Sequence, residues 1–303
     1  MWEMVLSLTL LGTARGRAVF DPWRARARVG LSRLPRWQLQ VLRYLAPPIG
    51  DFPDFLTPQE ASQGVEAGIK AVLTTPRHRL RQELAILPGR PSWARPLADG
   101  QPEALADLGR ALRGYYQTAI APYWPHMQAL VDAERAVRAR ALLDHGSQGL
   151  LSTLGPTMRW KPPVLEVDYP RERDIHLDGR GLVLVPSAFC WRTPVTLIDP
   201  SLRPVLVYPL TLGPGWTGLT NTPGPRSLAN VLGPTRAACL RVIEDGCTTG
   251  ELARRIGAAA PTASRHTTAL REAGLITSTR HGNTVLHTLT PLGAALLRTN
   301  PTP

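Results

Sequence analysis

Apolar and polar positions recur with helical spacing through the first half of the chain. The pattern predicts helices near 33–46, 58–73, 76–87, 102–119 and 125–145, parted by punctuation such as PPIGDFPDF and PGRPSW. In the last of these, Leu130, Ala133, Val137 and Ala141 share one face, with Asp132, Arg135 and Arg138 off it. That spacing predicts a long amphipathic helix packed on a core. The opening MWEMVLSLTLL has the apolar density of a signal-peptide core. Glu3 stands where a positive start belongs, however, and the run soon breaks at LGTARGR, so a folded helix or strand is expected.

From about 155 the pattern shortens to β-rich runs bounded by turns: VLEVDY, GLVLVPS, PVTLI and PVLVYPL, with Asp178-Gly179 and Asp199-Pro200 as turn dipeptides. A small antiparallel sheet is expected there. Residues 212–227, LGPGWTGLTNTPGPRS, lose periodicity under Gly, Pro and Thr and read as a linker. The chain is therefore expected to be α+β and mainly α. A domain over 1–211, helical to about 150 and β-rich over 155–211, precedes a smaller one over 228–303.

In that smaller domain Leu232, Ala237 or Cys239, Leu240 and Ile243 supply one helical face. Thr248 and Thr249 cap a second, short helix that Gly257 ends. A third runs from Pro261 to Ala273 and stops at Gly274. Two short helices joined by a tight turn are the skeleton of a helix-turn-helix. In the helix 261–273, Ala263, Thr267 and Leu270 face inward. Pro261, Arg265, Thr268 and Glu272 face outward, with Thr262, Ser264 and Ala269 beside them. Small side chains around a few long donors suit entry into a major groove. LITSTR and TVLHTL then flank His281-Gly282-Asn283 as a hairpin over 275–289, placed like a wing on phosphate or the minor groove. Thr290 and Pro291 open a final helix. The candidate DNA contacts are Thr262, Ser264, Arg265, His266, Thr268 and Arg271 on the helix and Arg280, His281 and Asn283 on the wing.

Composition sharpens the partner. The 303 residues are 43% hydrophobic and 19% charged, enough for two globular domains. Lys plus Arg number 35 against 23 acids, and the only lysines are Lys70 and Lys161. Such a balance favours nucleic acid, although a GC-rich genome writing Arg for Lys gives the same excess. Residues 1–46 hold eight Arg against Glu3 and Asp21, and 227–303 hold eight Arg against four acids. Cys190, Cys239 and Cys247 are too few for a disulfide framework, so a reducing cytoplasm is expected. No apolar run is long enough to span a bilayer.

The run TTGELARRIGAAAPTASRHTTALREAGLITSTRHGNTVLHTLTPLG resembles the winged helix-turn-helix of the ArsR (arsenical-resistance repressor) class of bacterial regulators. Ser264, His266, Leu270, Ala273, Gly274 and Leu275 match its Ser-x-His-Leu and Leu-x-x-Ala-Gly-Leu pattern, with Thr267 where the class usually has Leu. LSRLPRWQLQVLRYL, DFLTPQ, GYYQTAIAPYWPHM, GRGLVLVPSAFCW and VLVYP resemble the N-terminal domain of long actinobacterial members. Those relatives carry a further segment ahead of Trp-Glu-Met-Val-Leu-Ser-Leu, which here begins at Met1. The resemblance implies a homodimeric transcriptional repressor that binds an inverted repeat in double-stranded DNA.

Metal-sensing members use Cys-x-Cys on the first helix of the pair or Asp and His on the last helix. Those places read GELARRIG and PLGAALL here, so neither metal nor cofactor is expected. Cys239 and Cys247 lack a third ligand nearby, and His126, His145 and His176 are scattered. With no Gly-x-Ser-x-Gly and no phosphate-cradling Gly loop, an enzyme is not expected. Tyr115, Tyr116, Tyr123 and Trp124 either pack in the core or line a pocket for a small organic effector. A winged helix used for protein docking in a larger assembly is the alternative to DNA binding.

Overall fold

The computed structural model describes residues 1–89, 91–213, 216–217, 225–282 and 284–298, with the side chains of 225–227, 281 and 298 also left aside. The chain divides into two compact units, Met1–Thr217 and Gly218–Pro303. The fold is α+β and mainly α. Among the described residues no helix is long and apolar enough to cross a membrane.

The first unit is built around α1 (Trp2–Leu11), in which Met4, Val5, Leu6, Ser7, Leu8, Leu10 and Leu11 are all buried. A helix apolar around its whole circumference belongs inside a core, which is why its sequence resembles a leader. The buried Ser7 hydroxyl is satisfied by Met4 O and by the Tyr115 hydroxyl, both at 2.8 Å. Against α1 lies α2 (Arg17–Leu31), a helix that periodicity alone does not announce because Pro22 and four arginines interrupt it. Its Phe20, Trp23, Ala27 and Leu31 are buried, and so is Arg24. Arg24 donates from Nε to Leu10 O (3.0 Å), from a terminal nitrogen to Asp21 (2.7 Å) and from the other to Arg15 O. It thereby caps carbonyls at the end of α1.

The remaining helices are α3 (Arg36–Leu45), α4 (Val65–Leu73), α5 (Arg77–Leu84), α6 (Ala94–Ala98), α7 (Pro102–Tyr115) and α8 (Trp124–Ser152). A π turn at Tyr116–Ile120 and a 3₁₀ turn at Ala121–Tyr123 join α7 to α8. The expected inward stripe of α8 does not form. Its one fully buried residue is Met127, while Val137 is 56% and Leu143 83% exposed. The line turned toward the unit carries Glu134 and Arg138 instead, bonded to each other at 2.6 Å. A charged pair sits inside, and an alanine-rich stripe sits outside.

Strands β1 (Met158–Lys161) and β2 (Val164–Val167) form an antiparallel hairpin with Met158 opposite Val167. A second, three-stranded sheet is ordered β3 (Val183–Ser187), β5 (Val205–Pro209), β4 (Val195–Thr196). There β4 runs antiparallel to β5, but β3 and β5 are parallel, with Val183 opposite Val205. The antiparallel pairing expected from the turn dipeptides holds in β1–β2 and β4–β5, while the β3–β5 pair is parallel because the long connection after Ser187 carries the chain through β4 before β5.

The expected linker 212–227 is shorter than its composition suggests. Trp216 is buried in the first unit, where its indole N–H donates to Val19 O at 2.9 Å and its ring packs on Phe20 and Phe189. Helix α9 (Pro225–Leu232) begins before residue 228, and residues 214–215 and 218–224 lie outside the described residues.

The second unit continues with α10 (Pro234–Val242), β6 (Cys247–Thr248), α11 (Thr249–Arg255), α12 (Ala260–Glu272), β7 (Ile276–His281), β8 (Thr284–Leu289) and α13 (Pro291–Arg298). Its sheet is antiparallel in the order β6-β8-β7. Leu240, Ile243, Leu252, Leu270 and Ile276 centre its core. Each such side chain contributes about 1.5–3 kcal/mol by leaving water.

Candidate nucleic-acid interface

Local chemistry fixes both ends of the α11–α12 pair. At the start of α11, Thr248 and Glu251 form a capping box. The Thr248 hydroxyl accepts from Glu251 N at 3.3 Å, and Thr248 N donates to the Glu251 carboxylate at 2.9 Å. These bonds hold the Glu251 carboxyl below the usual range. Both helices end on a left-handed glycine. Gly257 has φ +65° and Ala258 N returns to Ala253 O, while Gly274 has φ +69° and Leu275 N returns to Leu270 O. The Ala-Gly-Leu ending is therefore a helix stop whose leucine turns back into the core.

Along α12, Ala263, Thr267 and Leu270 are buried. Thr267, which replaces a leucine of the resembled pattern, loses no hydrogen bond on burial because its hydroxyl donates to Ser264 O at 2.9 Å. On the other side Pro261, Ser264, Arg265, Arg271 and Glu272 are exposed, and Thr262, His266, Thr268 and Ala269 are half-buried. The β7–β8 hairpin places Arg280 exposed at its tip, with Nε donating to Gly282 O at 3.3 Å. Asn283, an expected contact, lies outside the described residues, and the side chain of His281 is likewise not described.

A contrast in ion pairing marks this surface. All fifteen ion pairs among the described residues lie in the first unit. In the second unit Arg236, Arg254, Arg255, Arg265, Arg271 and Arg280 are exposed and have no carboxylate partner among those residues. Guanidiniums without a carboxylate partner are available to phosphate without first breaking an ion pair. Burial, then Arg265 and Arg236, lower the His266 pKa. His266 is thus neutral at pH 7 and offers an imidazole N–H, and Arg236 of α10 shares its neighbourhood.

Residues 232–279 match a family model described as a helix-turn-helix domain. The C-terminal unit is a helix-turn-helix DNA-binding domain. No curated protein and no solved structure gives a significant match to the chain. The match spans α10 to β7, so it contains both helices of the pair and the first strand of the hairpin.

Two residues of the helix-turn-helix domain escape sequence reasoning. One is Arg236. The other is His287, 3% exposed, which joins Thr249 Oγ1 to its Nε2 (2.9 Å) and Ser278 Oγ to its Nδ1 (2.8 Å). It ties the start of α11 to β7, and burial followed by Arg271 lowers its pKa. The period-2 pattern held a signal, since His287 shares the strand face of Leu289.

The candidate chemistry of the cysteines and aromatics is placed as follows. Cys190, Cys239 and Cys247 are free and buried, and burial pushes the Cys239 thiol up to about 11. Among the described residues no three His, Cys, Asp or Glu are grouped for a metal ion. Tyr115 is fully buried, burial raises its phenol pKa, and Tyr123 is 4% exposed. Trp124 is 41% exposed at the start of α8. The four aromatics, Tyr116 included, do not line the cleft whose walls are α1, the 47–52 segment and the 189–198 loop.

Proposed function

We propose that the protein is a transcriptional repressor similar to the ArsR class, acting in the cytoplasm as a homodimer on an inverted-repeat operator and carrying no enzymatic activity. Helix α12 enters the major groove, the β7–β8 hairpin lies on the adjacent phosphates or minor groove, and a small organic effector binds the first unit. The observation that carries this reading is the outer face of α12: in its first two turns small side chains surround one long donor, Arg265, and Arg236, Arg254, Arg255, Arg265, Arg271 and Arg280 have no carboxylate partner among the described residues. A protein-docking role would need an apolar or charge-paired face, and this face is neither.

Dimerisation is supported by α8. Its outward stripe carries Ala129, Ala133, Ala136 and Leu143. Two such helices set antiparallel about Ala136 bring Asp132 of one copy opposite Arg140 of the other, and Ala129 opposite Leu143. Two-fold symmetry also doubles the number of base pairs read. Selection of binding duplexes from a random pool tests the reading. An enriched inverted repeat is expected; no enrichment, or binding that ignores salt, would refute it.

A further inference from the structure

The first unit holds a cleft of about 630 Å³, a size that suits a drug-sized organic molecule. One wall is α1 with Leu6 and Leu10, a second is the Pro47–Phe52 segment, and the third is the loop from Phe189 to Ile198. That loop is clipped at both ends by carboxylates from distant parts of the chain. Glu3 accepts from the Ser187 hydroxyl (2.8 Å), Ala188 N (2.8 Å) and Phe189 N (3.0 Å). Asp54 accepts from Ile198 N (2.9 Å) and Asp199 N (2.7 Å). Burial raises the pKa of both acids, so each is held at a cost for the sake of these bonds. The loop between them is preformed, which removes an ordering penalty from binding.

At the rim the chemistry is cationic beside an aromatic plane. Arg192 has φ +64°, a left-handed conformation costly for any residue with a Cβ, and its guanidinium lies 5.4 Å from the Trp191 ring centroid. Gly16 packs against that same indole, where an added Cβ would come within 3.0 Å, so Arg15 sits at the same end. Two carboxylates also line the cleft. Arg171 takes Asp51 at 2.9 Å and backbone amides take Asp54, whereas Arg15 and Arg192 have no carboxylate partner among the described residues. Apolar surface between these charges comes from Leu6, Leu10, Pro48, Phe189 and Pro194.

We propose that this cleft binds an amphipathic organic anion, its apolar or aromatic body against α1 and Trp191 and its carboxylate on Arg15 and Arg192. The assignment as effector site rests on the regulator reading above; the binding itself does not. The ring cluster continues inward from the rim: Trp191 meets Phe20 edge-on at 5.3 Å, and Phe20 and Phe189 both meet Trp216 edge-on at 5.9 and 5.4 Å.

The test titrates the full chain, without DNA, with naphthalene-2-carboxylate and with its neutral amide in a calorimeter. The carboxylate is expected to bind at least about tenfold more tightly than the amide, because paired guanidiniums recognise only the anion. Arg192→Gly removes one guanidinium while relieving the left-handed backbone, so carboxylate affinity should fall about tenfold while the melting temperature holds or rises. Arg15→Ala supplies an independent check of the same end. Failure of the carboxylate to bind, equal binding of acid and amide, or affinity indifferent to both substitutions would overturn the proposal. None of these results depends on operator binding, so the proposal fails separately from the regulator reading.

Discussion

Replacing Arg265 by Ala separates base reading from charge. Arg265 is the long donor at the centre of the exposed face of α12, and it forms no ion pair that binding would first have to break. Paired contact with a guanine edge is its best use, and its loss should cost about 1–3 kcal/mol, roughly 5- to 150-fold, on the operator. Random DNA should lose much less. The charge term has a ceiling set by the unpaired Arg236, Arg254, Arg255, Arg265, Arg271 and Arg280. If all six meet phosphate, the log–log salt slope is about −5 per copy, so a fourfold rise in salt weakens binding on the order of 10³-fold. Arg280→Ala should weaken operator and random DNA alike and flatten that slope by about one unit per copy. Gel-shift competition on an operator with each base varied, at two salt concentrations, reads both effects. Wild-type base preferences in the Arg265→Ala protein would refute the assignment even if its overall affinity fell.

Other outcomes follow from particular contacts. Because burial holds the folded His287 pKa below its unfolded value of 6.5, the stability tied to its neutral form is complete above about 6.5 and is lost as pH falls through the folded value. Thermal melts from pH 7.5 to 5.5 should show that loss, and a His287→Gln chain with the same pH profile would contradict it. Thr267→Val removes a hydroxyl bonded only within its own helix, so urea unfolding should show a gain or loss under about 1 kcal/mol; a loss above about 2 would mean that the hydroxyl has another role. Ala136→Glu puts like charges across the proposed two-fold axis of α8, and sedimentation should then report a monomer. An unchanged dimer would move the interface elsewhere. Arsenite and zinc should leave DNA binding intact, since the buried thiols of Cys239 and Cys247 stay protonated at pH 7; release that Cys239→Ser abolishes would reverse that view.

Local rules made much of the second unit legible. Gly257 and Gly274 as stops, the Thr248–Glu251 start and the inward set Ala263, Thr267 and Leu270 are each decided by a few neighbouring residues. What escaped depends on residues distant in sequence. Trp216 reads as linker because Gly and Pro surround it, but an indole beside Phe20 and Phe189 is core wherever it falls in the chain. On α8 the apolar stripe predicts the wrong inward side. Periodicity finds an apolar face without saying what it faces, and here the Glu134–Arg138 pair takes the inner side. The aromatics of GYYQTAIAPYW were open between core and pocket, and the Ser7 hydroxyl places Tyr115 in the core.

Charge shows the same division between what composition states and what pairing decides. The formal net charge of +12 is compatible with a genome that writes arginine freely, and the arginines of residues 1–46 carry the larger local excess. In the first unit several arginines are bound internally, Arg24 on the carbonyls of Leu10 and Arg15, Arg173 on those of Leu197 and Ile198, Arg180 on those of Pro200 and Leu202, and others in ion pairs, while Arg15, Arg17, Arg26, Arg33, Arg36 and Arg43 are exposed with no ion pair among the described residues. The internally bound groups act as structural donors, and a polyanion would have to displace bonds already made. In the helix-turn-helix domain the excess is smaller, but its six exposed guanidiniums have no carboxylate partner among the described residues. The electrostatic case for a nucleic-acid partner therefore rests on where the donors stand, around a helix that can enter a groove, and a chain truncated to residues 1–217 should bind duplex DNA far more weakly than the whole protein despite its greater number of arginines.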